Sequence, residues 1–177
     1  MTVLKQGDAA PAFTLLGIDD HHHSLAHHAD KNAIVIIFNC NHCPFVRAWE
    51  DRMIQIQQDY RNRGVQLIAI SANDAIHYPS DSFLNMKLRA KDKKFNFLYL
   101  HDATQQTARS YGAERTPEVF AFDKYQRLRY HGAIDDNYED PGAVRKPYLR
   151  DALEAILTGQ NPTVSETQPV GCTIKWK

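Results

Sequence analysis

Two cysteines, Cys40 and Cys43, stand at C-x-x-C spacing, with Asn41 and His42 between them and Pro44 directly after. Two thiols so close in the chain can close a disulfide and open it again, which is redox chemistry. The reactive form is the thiolate, and a free thiol with a pKa of about 8.5 is mostly protonated at neutral pH. The flanking residues supply a device that favours the anion. Ala33 to Asn39 is an uncharged, β-branched run that reads as a buried strand, and Phe45, Trp49, Met53, Ile56 and Tyr60 recur behind the pair at helical intervals. Strand, dithiol and amphipathic helix in that order set the sulfurs at a helix N-terminus, where unpaired N–H groups and the positive dipole end stabilise a negative charge. Pro44 suits the first helical turn, which needs no N–H donor. Cys40 sits just before that turn and Cys43 within it, so we expect Cys40 to be the attacking thiolate with a depressed pKa. Cys43 is then the resolving thiol, and His42 adds a proton or a positive charge. No second C-x-x-C follows to complete a zinc site.

These residues need a scaffold, and the rest of the chain supplies one. It has 177 residues, 43% of them hydrophobic, enough for one domain over residues 1 to 177 with an extended tail from 160. The 21 basic and 21 acidic residues balance, so neither nucleic acid nor an anionic membrane has bulk electrostatic support as a partner. No run approaches membrane-spanning length, and the segment from Met1 to Asp8 lacks the apolar core of a signal peptide. Three cysteines suit a reducing compartment, and the expected location is the cytoplasm.

Taken in order, Gly7 to Leu16 reads as a loop leading into a short strand. Residues 17 to 32 follow as a solvated hairpin loop carrying His21, His22, His23, His27 and His28. The helix after the dithiol should run to about Arg63 and stop on Gly64. Val65 to Ile70 is a second buried strand, parallel to the first because a helix separates them. Asp81 or Ser82 caps a helix to about Lys93; Phe95 to Leu100 is a strand; a helix over about 104 to 111 closes on Gly112. Glu118 to Asp123 and Gln126 to His131 form an antiparallel hairpin, and residues 147 to 157 form a closing amphipathic helix. The class is α/β, a mixed central sheet flanked by helices.

That order, with C-x-x-C between the first buried strand and the first long helix, resembles the thioredoxin fold. Thr116-Pro117 precedes the hairpin where thioredoxin-like proteins place a cis-proline facing the dithiol. Gly7-x-x-Ala10-Pro11-x-Phe13-x-Leu15 resembles the opening of the alkyl hydroperoxide reductase/thiol-specific antioxidant (AhpC/TSA, redoxin) branch. The likeness to its peroxiredoxin-like members runs on through Asn73-Asp74, Tyr78-Pro79-x-Asp81-Ser82, Tyr111-Gly112-Ala113, Ile134-Asp135-Asp136-Asn137 and Gly171-Cys172-Thr173-Ile174-Lys175-Trp176. The resemblance implies thiol–disulfide exchange with no organic cofactor and an external thiol donor such as thioredoxin or glutathione. It implies that Thr116 and Pro117 shape the substrate side, with the backbone at Thr116 pairing to an extended substrate chain. Two departures matter: the central strand lacks the buried acid of thioredoxins, and His42 resembles the histidine of disulfide oxidases such as DsbA. Peroxiredoxins have Thr, then Cys-Pro three residues on; Cys43-Pro44 fits, while Cys40 holds the Thr position. A hydroperoxide-reducing peroxidase is therefore one alternative. Another is a Sco-like copper carrier using Cys40, His42 and Cys43.

Other side chains are candidates by placement. Asn73, Asp74 and Glu50 are possible polar neighbours of the dithiol, with Asp74 a possible proton acceptor for Cys43. Cys172 could resolve a sulfenate, pair between subunits or fill an apolar site.

Overall fold

The computed structural model describes residues 3–177, so Met1 and Thr2, the start of the segment read for a signal peptide, lie outside the described residues. Seven strands form the main sheet: β1 (Thr14–Gly17), β2 (His22–Ser24), β3 (Ala33–Asn39), β4 (Val65–Ser71), β5 (Leu98–His101), β7 (Glu118–Asp123) and β8 (Leu128–Gly132). Their spatial order is β2-β1-β5-β4-β3-β7-β8. The β3–β4 and β4–β5 pairs are parallel, and every other pair is antiparallel. A mixed sheet results, as expected. A separate two-stranded ribbon pairs β6 (Arg115–Thr116) with β9 (Cys172–Thr173). Among the described residues four α-helices flank the sheet: α1 (Pro44–Tyr60), α2 (Phe83–Lys93), α3 (Gln106–Tyr111) and α4 (Tyr148–Leu157).

The unbroken apolar run of β3 reflects burial on both faces. Val35 and Ile37 face the layer of Trp49, Met53 and Ile56 from α1 and Leu149 and Leu153 from α4. Ile34, Ile36 and Phe38 face the opposite layer with Tyr111, Phe120 and Phe122. All seven β3 residues are buried, so the strand is a fixed platform for the cysteines that follow it.

Small departures from the expected boundaries have local causes. The first helix proper ends at Tyr60, with a 3-10 turn to Arg63 before Gly64 takes a left-handed φ of 76°. Residues 95 to 97 are not strand, because Lys94 is left-handed and the Phe95 N–H bonds back to the Ala90 carbonyl to finish α2. The histidine-rich stretch is a hairpin, but it contains strand β2 and buries Leu25, so it is more than a solvated loop. No helix among the described residues is long and apolar enough to cross a membrane.

Candidate active site

The dithiol leaves the C-terminal end of β3, and Pro44 occupies the first turn of α1 as expected. Asn41 pins the loop between the cysteines. Its backbone N–H donates to Asp81 Oδ1 at 2.7 Å, its side chain donates to the Ser80 carbonyl at 3.0 Å, and it accepts from the Tyr99 hydroxyl at 2.8 Å. Arg47 Nε donates to its carbonyl at 3.0 Å. His42 Nδ1 lies 2.6 Å from Asp81 Oδ2, and the ring stacks on Tyr78. Asp81 also accepts from Asn73 Nδ2 at 2.8 Å, and it is fully buried.

Asp81 is the site residue that sequence reasoning missed. Aspartate and serine are both cap residues, so 81 and 82 read alike ahead of a helix; Ser82 caps α2, accepting from the Asn85 N–H, and Asp81 turns inward. It places a buried acid beside Cys40 although the central strand has none. Replacing Asp81 with Ala strands buried donors on Asn41 and Asn73, each worth about 1–3 kcal/mol. We expect Asp81→Ala to lose about 2–3 kcal/mol of stability in urea unfolding; an unchanged midpoint would show that the carboxylate organises nothing.

The helix-end position expected to favour the Cys40 thiolate belongs to its neighbour. Cys43, not Cys40, is the N-cap of α1. Its thiol is held down to about 4, first by a hydrogen bond from the Cys40 thiol and then, against the cost of burial, by Cys172 and the backbone N–H groups of Val46 and Cys172. Cys40 is pushed well up by that same hydrogen bond, by burial and by the negative charge of Asp81. One contact runs the other way: the Thr116 carbonyl, 3.3 Å from Cys43 Sγ, can accept only from the protonated thiol. Cys172 Sγ, 2.7 Å away, is a thiol that can donate or accept, so the capping position and the Val46 and Cys172 N–H groups are what favour charge on Cys43. The two cysteines differ by three positions, which is enough to move a sulfur from the strand end to the helix cap.

Thr116 and Pro117, joined by a cis peptide bond, do reach the dithiol: the Thr116 hydroxyl lies 3.5 Å from Cys40 Sγ. Its backbone is not open to a substrate chain, however. β9 of the same molecule pairs there, with Cys172 opposite Thr116. Cys43 Sγ lies 2.7 Å from Cys172 Sγ, and the Cys172 thiol is pushed up to about 11, first by burial and then by the adjacent Cys43. Cys40 and Cys43 are 1% and 0% exposed, whereas Cys172 is partly exposed.

Of the three expected neighbours, Asp74 and Glu50 are engaged elsewhere and Asn73 reaches the site through Asp81. Asp74 accepts from Ile76 N–H, pairs with His77 and donates its own N–H to the Lys175 carbonyl, so it is not placed as the base for Cys43. Glu50 is buried in an ion pair with Arg89. Asn73 links Asp81 to the tail, accepting the Lys175 N–H at 3.0 Å. Among the described residues, the group of metal-capable side chains drawn within 4.8 Å of one another is Cys40, His42 and Asp81. The copper set of Cys40, His42 and Cys43 is not the one assembled. The hard carboxylate in its place, already used by Asn41 and Asn73, is a poor exchange for a soft thiolate toward Cu(I).

Residues 6–131 match the model of the AhpC/TSA family. An uncharacterized conserved protein from Geobacillus kaustophilus is 37% identical, with a TM-score of 0.92 over 98% of this chain and 93% of its own. A hypothetical protein from Sinorhizobium meliloti 1021 is 32% identical, with a TM-score of 0.91 over 99% of this chain and 97% of its own. The peroxidoxin BcpB from Mycobacterium tuberculosis shares the fold at 14% identity, with a TM-score of 0.66 over 88% of this chain and 97% of its own. No curated protein matches.

Proposed function

The chain belongs to the AhpC/TSA family of thioredoxin-fold proteins, and on that premise we propose that it is a thiol–disulfide oxidoreductase in which Cys43 attacks and Cys40 resolves. The observation that carries this reading is a buried C-x-x-C pair whose second sulfur, Cys43, caps the N-terminus of α1, where an anion is stabilised. The Cys43 thiolate attacks a disulfide R–S–S–R′, forming a mixed disulfide and expelling R′S⁻. Cys43 then carries no charge, and the hydrogen bond that held the Cys40 proton in place is gone. Cys40 passes that proton to the departing RS⁻ as its sulfur attacks Cys43, which leaves a Cys40–Cys43 disulfide and a reduced substrate. An external thiol donor, thioredoxin or glutathione, resets the pair in the cytoplasm.

A peroxidase is favoured by a specific feature, the near-complete burial of both sulfurs, which a small oxidant tolerates better than a protein disulfide does. There the Cys43 thiolate attacks the hydroperoxide O–O bond, an alcohol or water leaves with a proton, and Cys40 condenses with the sulfenate to release water.

Equilibration of the reduced protein in glutathione buffers, followed by alkylation and mass analysis, tests the common core. Wild type should lose two thiols together, and the double variant Cys40→Ser, Cys172→Ser should trap a mixed disulfide on Cys43. Retention of both thiols at every potential would sink both readings. Stopped-flow reaction with hydrogen peroxide then separates them: a rate orders of magnitude above that of free cysteine selects the peroxidase.

A further inference from the structure

Cys43 lies between two thiols. On one side is Cys40, packed in the same small buried cluster; on the other Cys172 stands 2.7 Å away, held there by the antiparallel register that sets it opposite Thr116. The approach is built into the tail. A Cβ on Gly171 would fall 2.1 Å from the Thr116 carbonyl oxygen and 2.6 Å from its carbon, so only glycine lets β9 come this close. Backbone bonds from Ile174 N–H to the Glu114 carbonyl and from Asp74 N–H to the Lys175 carbonyl clamp the residues that follow, and the Asn73 side chain accepts from Lys175 N–H.

We propose that Cys43 and Cys172 form a second redox-active disulfide, which takes over from the Cys40–Cys43 bond and is opened from outside by an external dithiol. The inference rests on the dithiol reading above. In the first step Cys172 gives up its proton and attacks Cys43 Sγ. The Cys40–Cys43 bond breaks, and Cys40 leaves with the proton. One disulfide is exchanged for another with no net oxidation. The bond now ends on a partly exposed sulfur, flanked by the positive charges of Lys175 and Arg115, which favour an approaching thiolate. In the second step the external thiolate attacks Cys172 and expels Cys43, whose sulfur is the best leaving group of the three because its anion is the most stabilised. The second thiol of the reductant closes its own disulfide and frees Cys172, so the reductant loses two electrons and the protein gains them.

Disulfide mapping and dithiothreitol kinetics test this. Cys40→Ser oxidised with glutathione disulfide should yield an intramolecular Cys43–Cys172 bond, and oxidised wild type should be reduced at least tenfold faster than oxidised Cys172→Ser. A tail loosened by the serine would speed the variant, so a slower variant cannot be blamed on misfolding of the tail. Equal rates, or a Cys40→Ser protein without the Cys43–Cys172 bond, would overturn the relay while a Cys40–Cys43 bond in Cys172→Ser keeps the dithiol reading alive. No intramolecular disulfide in Cys172→Ser would remove the dithiol reading and the relay with it.

Discussion

Reduced wild-type protein should gain stability over Cys43→Ser as the pH rises from 5 to 8, with a slope approaching 1.4 kcal/mol per pH unit. The folded thiol is held down to about 4, below the ordinary thiol value, so the folded chain releases this proton at a lower pH than the unfolded chain does. A depressed folded pKa gives stabilisation that is complete above the unfolded pKa and is lost as the pH falls toward 4. Within the window the other two cysteines are silent. Both are pushed up in the folded protein and both are still protonated in the unfolded one, so neither changes its proton count. Subtracting the serine variant cancels the carboxylates and histidines, which leaves a difference that grows as the pH rises through the window. Urea unfolding at each pH with reductant present measures it, and thiolate absorbance gives an independent check. A flat difference would mean that the charge is not on Cys43. The same low pKa has a smaller effect on attack than on departure, because nucleophilicity falls with basicity while leaving ability rises. The expected kinetic signature is a mixed disulfide on Cys43 that is cleaved unusually fast.

The strand and helix that carry the dithiol were legible because each obeys one period. β3 is apolar from Ala33 to Phe38 since both its faces are covered, and α1 repeats its core residues each turn. The order of the two thiols was not legible, since it depends on which residue caps the helix, and helix starts are fixed by backbone geometry to within a residue or two. Asp81 was hidden by its neighbour, because a cap signal two residues wide does not say which side chain turns inward. Cys172 was already a candidate, but its place beside Cys43 was hidden by distance. It meets Cys43 across 129 positions of sequence, on a strand of two residues that no periodicity can announce. Pairing at Thr116 was anticipated, but with a foreign chain; the occupant is the molecule's own tail. A fold can be read from local periods, whereas this site is closed by a contact between the two ends of the fold.

Gly171→Ala should open that closure, and its effect on access to the buried thiols should be the largest of any conservative change. The added Cβ would meet the Thr116 carbonyl oxygen at 2.1 Å, its carbon at 2.6 Å and Pro117 N at 3.1 Å. All three are backbone atoms next to the dithiol, so no flexible side chain can give way, and β9 must lift from β6. Lifting releases the bonds that Ile174, Asp74 and Lys175 make, three hydrogen bonds at about 1 kcal/mol each. That total raises the open population on the order of a hundredfold, since 1.4 kcal/mol is a factor of ten. The measurement is the rate at which the reduced protein reacts with a bulky aromatic disulfide. Cys40 and Cys43, now 1% and 0% exposed, should react about a hundredfold faster in the variant. Reaction with hydrogen peroxide should change far less, because a small oxidant depends less on the tail for entry. If the bulky reagent gains no speed while circular dichroism shows an intact fold, the tail does not control access to the dithiol. If both reagents speed up equally, the tail seals the site against every oxidant, and reaction with peroxide would then require the same opening as reaction with a protein.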